Sequence, residues 1–257
     1  MLILLPPSEG KTRPATGAPL DLDALSFTTL SPTRDLLLRT LVKLCAGNPR
    51  RAAEVLGLGP TQAEAIGVNA GLADEPAARA DEIYTGVLFS ALDLSSLDDS
   101  SRCRADESLA IASALFGLVR PGDRIPAYRL SGGVTLPRLG TVAGRWRTPL
   151  PRAMQEATGD GLLIDLRSGT YTALGKPPAP LAERTATMRV LHEHNGQRKV
   201  VSHFNKATKG RIVRGLLESG ADPRSVDDLQ STLSDLGWTI ERVGGRLDVV
   251  VAEVPAT

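Results

Sequence analysis

The feature that most constrains this chain is its opening run, Met1-Leu-Ile-Leu-Leu5, stopped at once by Pro6-Pro7. Four consecutive large apolar residues without polar alternation read as a buried strand, and the prolines end it because they cannot donate to a sheet ladder. Gly161-Leu-Leu-Ile-Asp-Leu166 has the same character, so at least two strands lie inside a core. A chain of 257 residues with 42% hydrophobic residues is long enough to build that core without disulfide staples. Cys45 and Cys103 form no C-x-x-C or His-paired pattern and are read as reduced, structural thiols.

Other segments fill in the class. Thr187 to His194, Asn195-Gly196 and Arg198 to His203 read as a hairpin, since Asn-Gly supplies the positive φ of a tight two-residue turn. Trp238 to Val243, Gly244-Gly245 and Leu247 to Val254 read as a second. Ser108 to Leu115 is apolar, but periodicity alone does not assign it. Helical spacing runs from Thr33 to Leu44, with Leu36, Leu37, Leu41 and Leu44 on one face. Pro149 to Ala157, Ala207 to Leu217 and the Ser-capped Ser225 to Leu236 are further helices. The expected fold is a single mixed α/β domain over residues 1–257 with antiparallel hairpins in its C-terminal half. Lys176-Pro-Pro-Ala-Pro180 reads as a stiff crossing loop within it.

Charge excludes one broad class. Thirty Lys and Arg stand against 29 Asp and Glu, a net +1, so the chain is no uniformly basic nucleic-acid coat. No apolar run spans a bilayer and no basic segment precedes the first strand, so no membrane association and a cytoplasmic location are expected. The cations are nonetheless uneven. Arg120, Arg124, Arg129, Arg138, Arg145, Arg147 and Arg152 face only Asp123 in their stretch, and Arg198, Lys199, Lys206, Lys209, Arg211 and Arg214 face no acid. Asp74 to Glu107, by contrast, holds nine acids and three bases. Folded onto one side, the basic stretches make a polyanion surface; paired with the acidic segment, they are ordinary solvated faces.

The most specific short pattern lies in residues 49–70, where Pro49-Arg-Arg-Ala-Ala-Glu54 leads into Val55-Leu-Gly-Leu-Gly-Pro-Thr-Gln-Ala-Glu-Ala-Ile66. Two short helices meeting at Gly57-Leu58-Gly59 resemble the helix-hairpin-helix motif of sequence-independent DNA-binding proteins. In such a corner, unpaired N–H groups of the turn, Thr61 and Gln62 would face phosphate, Leu58 would plug the hairpin, and Arg50 and Arg51 would add charge. The plainer alternative makes Gly57 a helix C-cap and Gly59-Pro60 a connection. A Rossmann loop is disfavoured because Gln62 stands at the third glycine position and a helix precedes the motif.

Ser8-Glu-Gly-Lys-Thr12 follows a strand but is no Walker loop, because Leu5 stands where that motif needs its first glycine. Lys11 is either a point-charge phosphate ligand at a strand end or a plain loop lysine. No Ser lies in G-x-S-x-G, and three histidines leave hydrolase and metal readings short of parts. His192 and His194 have no third ligand spaced to close a site, so no metal and no cofactor are expected.

Taken in order, several segments are similar to the YaaA family of bacterial peroxide-stress resistance proteins. They are Met1 to Leu5 with Pro7-Ser8 and Lys11-Thr12, Tyr84-Thr85-Gly86, Leu115 to Pro121 with Ala127-Tyr-Arg-Leu130, Trp146, Ile164 to Ser168 with Tyr171, and Ser202 to Gly210. The chain departs from the family in Glu9-Gly10 before Lys11, in Asp165 where Asn is usual, and in Ala207-Thr-Lys-Gly210. The resemblance implies a family-specific α/β fold with a helix-hairpin-helix and a basic cleft, double-stranded DNA as partner, and protection against peroxide through lower free iron. On that reading Arg120, Arg129, Lys206 and Lys209 line the cleft beside the hairpin. The alternative is an enzyme on a small anionic or nucleotide-like substrate, with Lys11, Tyr84 and Asp165 as candidate catalytic groups and Arg129 and Lys206 beside them.

Overall fold

The computed structural model describes residues 1–194, 197–200 and 202–252. One mixed sheet organises them. Its strands are β1 (Leu2–Leu5), β2 (Leu109–Ser113), β3 (Gly117–Val119), β4 (Leu163–Asp165), β5 (Thr185–His194), β6 (Gln197–Lys199), β7 (Thr239–Val243) and β8 (Arg246–Ala252). They lie in the order β7-β8-β5-β4-β1-β2-β3, with β6 pairing the far end of β5. The five inner strands β8, β5, β4, β1 and β2 run parallel, while β7, β3 and β6 add antiparallel edges. Every residue of β1, β2 and β4 is buried. This is why, apart from Ser113 and Asp165 at their carboxyl ends, their sequences are apolar runs: strands covered on both faces have no solvent side to mark with alternating polar residues.

One expectation changes. The Arg198–His203 strand is three residues long, because the chain enters a helix at Ser202. The Asn195-Gly196 turn itself lies outside the described residues. The ambiguous Ser108–Leu115 run is β2, paired in parallel with β1 through Ile3 and Leu109.

The principal helices are α1 (Ser31–Cys45), α2 (Pro49–Leu56), α3 (Glu64–Ala70), α4 (Val87–Leu92), α5 (Asp99–Ser108), α6 (Pro149–Thr158), α7 (Ser202–Ser219) and α8 (Val226–Asp235). Ser225 caps α8 as expected, its side chain accepting from the Asp228 N–H while Asp228 accepts from the Ser225 N–H. On α1 the buried stripe is Arg34, Leu37, Leu41 and Cys45, and Leu36 is turned outward. The apolar pattern misjudged that face because a buried arginine belongs to it. Helices α7 and α4 cross closely at Gly210, where a Cβ would stand 2.4 Å from the Leu88 carbonyl oxygen. Only glycine lets these backbones meet, and the crossing fixes Lys209 against the sheet end. No helix among the described residues is long and apolar enough to cross a membrane.

Candidate functional site

The chain leaves β1 for β2 on one side and later returns as β4 on the other, so the strand order reverses at β1. Loops at the carboxyl ends of parallel strands diverge at such a point and leave a crevice, the usual ligand position in open α/β sheets. The loop after β1 carries Ser8, Glu9, Gly10 and Lys11 into that position. It is pinned to the Tyr84 segment: Lys11 and Tyr84 form an antiparallel bridge, the Thr12 N–H donates to Ile83 O at 2.9 Å, and the Thr85 N–H donates to Ser8 Oγ at 3.0 Å.

Lys11 Nζ donates to Ser8 O at 2.9 Å and lies 4.6 Å from the Tyr128 ring centroid and 5.3 Å from that of Tyr84. The two phenols share a hydrogen bond at 3.0 Å, and Tyr128 Oη meets Ser113 Oγ at 2.7 Å at the end of β2. Both tyrosines are buried, which pushes their phenols up and keeps them neutral hydrogen-bonding groups. Burial, reinforced by the nearby Arg129 guanidinium, lowers the Lys11 pKa to about 8, against a smaller pull upward from Glu9. Arg129 Nη1 donates to Glu9 O at 3.1 Å, and its backbone is clamped by Asn69 of α3 through Arg129 N–H to Oδ1 at 2.9 Å and Nδ2–H to Arg129 O at 2.8 Å.

Holding Lys11 charged in this place costs folding free energy. The proton binds less tightly in the folded chain than in the unfolded one, so the cost is fully present below pH 8 and disappears as pH rises toward 10.5. Lys11→Met should therefore stabilise the protein at pH 7, on the order of 2 kcal/mol, with the advantage shrinking above pH 8. Urea unfolding at pH 7 and pH 10 checks this; a variant less stable at pH 7 would show that the ammonium is well accommodated.

Of the other expected residues, Asp165 does not face the crevice as a free carboxylate. It is buried in a bidentate pair with Arg167, at 2.7 Å between Nη2 and Oδ2 and 2.8 Å between Nε and Oδ1. Lys206 is exposed on α7, whereas Lys209 points at the sheet end and donates to Leu166 O at 3.3 Å, burial lowering its pKa against the pull of Asp165. Arg120 is spent locally, donating to Leu109 O at 2.9 Å and lying over the Phe27 ring. Tyr128 and Tyr171 entered the sequence reading only as carriers of the family resemblance, and Ser113 and Asn69 were not singled out. The one available signal was an asparagine on a helix face that is otherwise buried. Beside Tyr84 lies a cavity of about 480 Å³ whose lining includes Asp81, Glu82, Asp93 and Asp99 with Arg102, the last paired to Asp81, so acids outnumber bases there.

The Gly57 corner is exposed. Gly57 takes φ 63°, and its N–H and that of Leu58 donate back to α2 carbonyls, while the Gly59 N–H donates to Gln62 Oε1 at 3.3 Å. A phosphate at the Gly59 donor would have to displace Gln62. Beside the corner, α2 touches the short hairpin of Thr135–Leu136 and Gly140–Thr141. Arg138 sits at that hairpin's tip with φ 62°, and Arg145 Nη2 lies 3.6 Å from the Cβ position of Gly140. Arg50, Arg51, Arg138 and Arg145 are all exposed and make no ion pair with a carboxylate among the described residues. The C-terminal basic stretch is mixed: Arg198 pairs with Glu193 and Glu241 and Arg214 with Glu218, while Lys199, Lys206 and Arg211 are exposed without an ion pair among the described residues.

Comparison with known proteins follows the whole length. A family model described as peroxide stress protein YaaA matches residues 1–242. The chain is similar to a UPF0246 protein of Streptomyces coelicolor, 51% identical over 261 residues covering 99% of this chain and 100% of the relative. It is also similar to a UPF0246 protein of Corynebacterium efficiens, 42% identical over 99% of this chain and 100% of the relative. A third, from Corynebacterium glutamicum, is 40% identical over 94% of this chain and 95% of the relative.

Proposed function

Because the chain belongs to the YaaA family of peroxide stress proteins, we propose that it acts in that stress by holding duplex DNA through its phosphates, without reading bases. The observation that carries this reading is the exposed set of Arg50, Arg51, Arg138 and Arg145, grouped on neighbouring elements and lacking carboxylate partners among the described residues. Unpaired guanidiniums on an otherwise near-neutral molecule form a local field, and binding phosphate releases the counterions condensed on the duplex. The helix-hairpin-helix element of residues 49–70 serves here chiefly as a mount. Asn48 caps α2 through the Arg51 N–H, α2 presents Arg50 and Arg51, and the Gly57 turn sets the next helix beside them. Protein laid along cytoplasmic DNA in this way would limit iron-driven damage over the covered stretch.

The reading is tested by fluorescence anisotropy with two short duplexes of unrelated sequence at 50 and 200 mM salt. Both should bind alike, and affinity should fall steeply with salt. Changing the four arginines to alanine should weaken binding to both duplexes and flatten the slope of log affinity against log salt by roughly 0.9 for each phosphate no longer neutralised. A quadruple variant that binds as the unaltered protein does, with the same slope, would remove the basis for this function.

A further inference from the structure

We propose that the loop after β1 forms, with Arg129, a seat for a small phosphoryl dianion, either inorganic phosphate or the terminal group of a phosphomonoester, separate from the duplex-binding face. Lys11 Nζ docks on the Ser8 carbonyl and Arg129 Nη1 on the Glu9 carbonyl, and these carbonyls are consecutive on one loop. An ammonium and a guanidinium are thus held side by side at the point where the sheet reverses its strand order.

Neither cation is adequately neutralised. Lys11 makes no ion pair among the described residues, and Arg129 meets Glu9 Oε2 only at 3.4 Å, through a carboxylate whose side chain is 91% exposed. Two like charges in a poorly hydrated place repel, and the depressed Lys11 pKa has this as its second cause after burial. A dianion reverses the repulsion by serving both, with the guanidinium supplying a planar fork and the ammonium a compact point charge. Glu9 can swing into solvent to admit it.

The seat is also rigid. Asn69 fixes the Arg129 backbone from both sides, the Lys11 backbone is bridged to Tyr84, and the hydrogen-bonded Tyr84 and Tyr128 rings lie against the ammonium. Tyr171 stands beside it, its phenol within the fields of Glu9 and Arg129, and Arg167 holds the Tyr171 carbonyl at 3.3 Å. Such preorganisation leaves little to order on binding. The recess selects a small ligand. Lys11 is largely covered and the two rings beneath it are buried, so the body of a duplex cannot reach them.

The groups facing Lys11 are Arg129, Glu9, Tyr84 and Tyr128, and the phenols stay protonated where Lys11 titrates. Bound dianion should raise the Lys11 pKa, so sulfate affinity is full below pH 8 and falls as pH passes upward through it, whereas phosphoryl ligands also lose affinity at low pH as they take up a proton, with a second pKa of about 6 for a monoester. The test uses the full chain labelled with carbon-13 at lysine Cε, with the Lys11 resonance identified by its loss in Lys11→Arg. Inorganic phosphate is one probe, and sulfate, whose charge is fixed in this range, is the other. Saturation should move the Lys11 midpoint up by about one pH unit, and Arg129→Ala should weaken binding about tenfold or more. A Lys11 midpoint unmoved by either anion overturns the proposal, as does an Arg129→Ala protein that binds unchanged. Displacement of phosphate by excess duplex would overturn its separateness. Since Arg50, Arg51, Arg138 and Arg145 take no part, failure here leaves the duplex reading standing, and the reverse also holds.

Discussion

Replacing Arg34 with alanine should lower the unfolding free energy by about 3–5 kcal/mol, read as a drop in the urea midpoint at unchanged slope. The side chain is fully buried on α1. Nε donates to Phe116 O at 2.9 Å, and Nη2 donates to Ser26 O and to Leu118 O, each at 2.7 Å. Burial pushes its pKa down to about 10, with Asp123 pulling the other way, so it stays charged at pH 7. Truncation leaves three carbonyls without their donor and a hole the size of a guanidinium and its stem, and each is costly in an interior. Arg34→Met separates the two causes. It refills much of the volume and satisfies no carbonyl, so it should recover only part of the loss. A loss below about 1 kcal/mol in Arg34→Ala would mean that water had entered and bonded the carbonyls in its place.

Asp165→Asn should cost a comparable amount, about 3–5 kcal/mol, because it removes the charge facing a guanidinium that has no access to solvent. Asp165 also accepts the Arg167 N–H at 3.1 Å, and Arg167 reaches the Gly175 carbonyl at 3.0 Å, so the pair ties the end of β4 to the following loop. A double-mutant cycle is the informative measurement. Asp165→Leu combined with Arg167→Met should be less damaging than the sum of the single changes, since removing both charges leaves none buried alone. Simple additivity would show that the two residues act independently. The result bears directly on chemistry, for an aspartate locked in this way positions backbone and is not free to act as a base.

The buried strands were legible in Leu2–Leu5 and Gly161–Leu166 because a strand covered on both faces writes itself as a mostly apolar run without alternation. The second hairpin was equally legible, with β7 and β8 meeting around Gly244-Gly245. Arg34 was not, because a charge inside an apolar stripe reads as a break in it. At the candidate site, Lys11, Tyr84 and Arg129 could be grouped from the segments carrying them. Tyr128 travels with Arg129 in the same segment, whereas Ser113 and Asn69 join that group only through pairings across gaps of 15 and 60 residues, which depend on strand order and not on local pattern. Which of the two candidate lysines on α7 turns to the sheet was illegible for a related reason: Lys209 does so, and that helix face is set by the Gly210 crossing, which becomes apparent only when α4 is in place.

The position of β1 has a consequence for biosynthesis. Its ladder partners begin at Leu109 on one side and Leu163 on the other, so of the inner strands β1 waits longest between its own synthesis and that of its second partner. At about 5–20 residues per second, translation reaches Leu163 roughly 8–30 s after β1 is made. Throughout that interval Leu-Ile-Leu-Leu keeps at least one unpaired adhesive edge, suited to capture by a holding chaperone or by a neighbouring polypeptide.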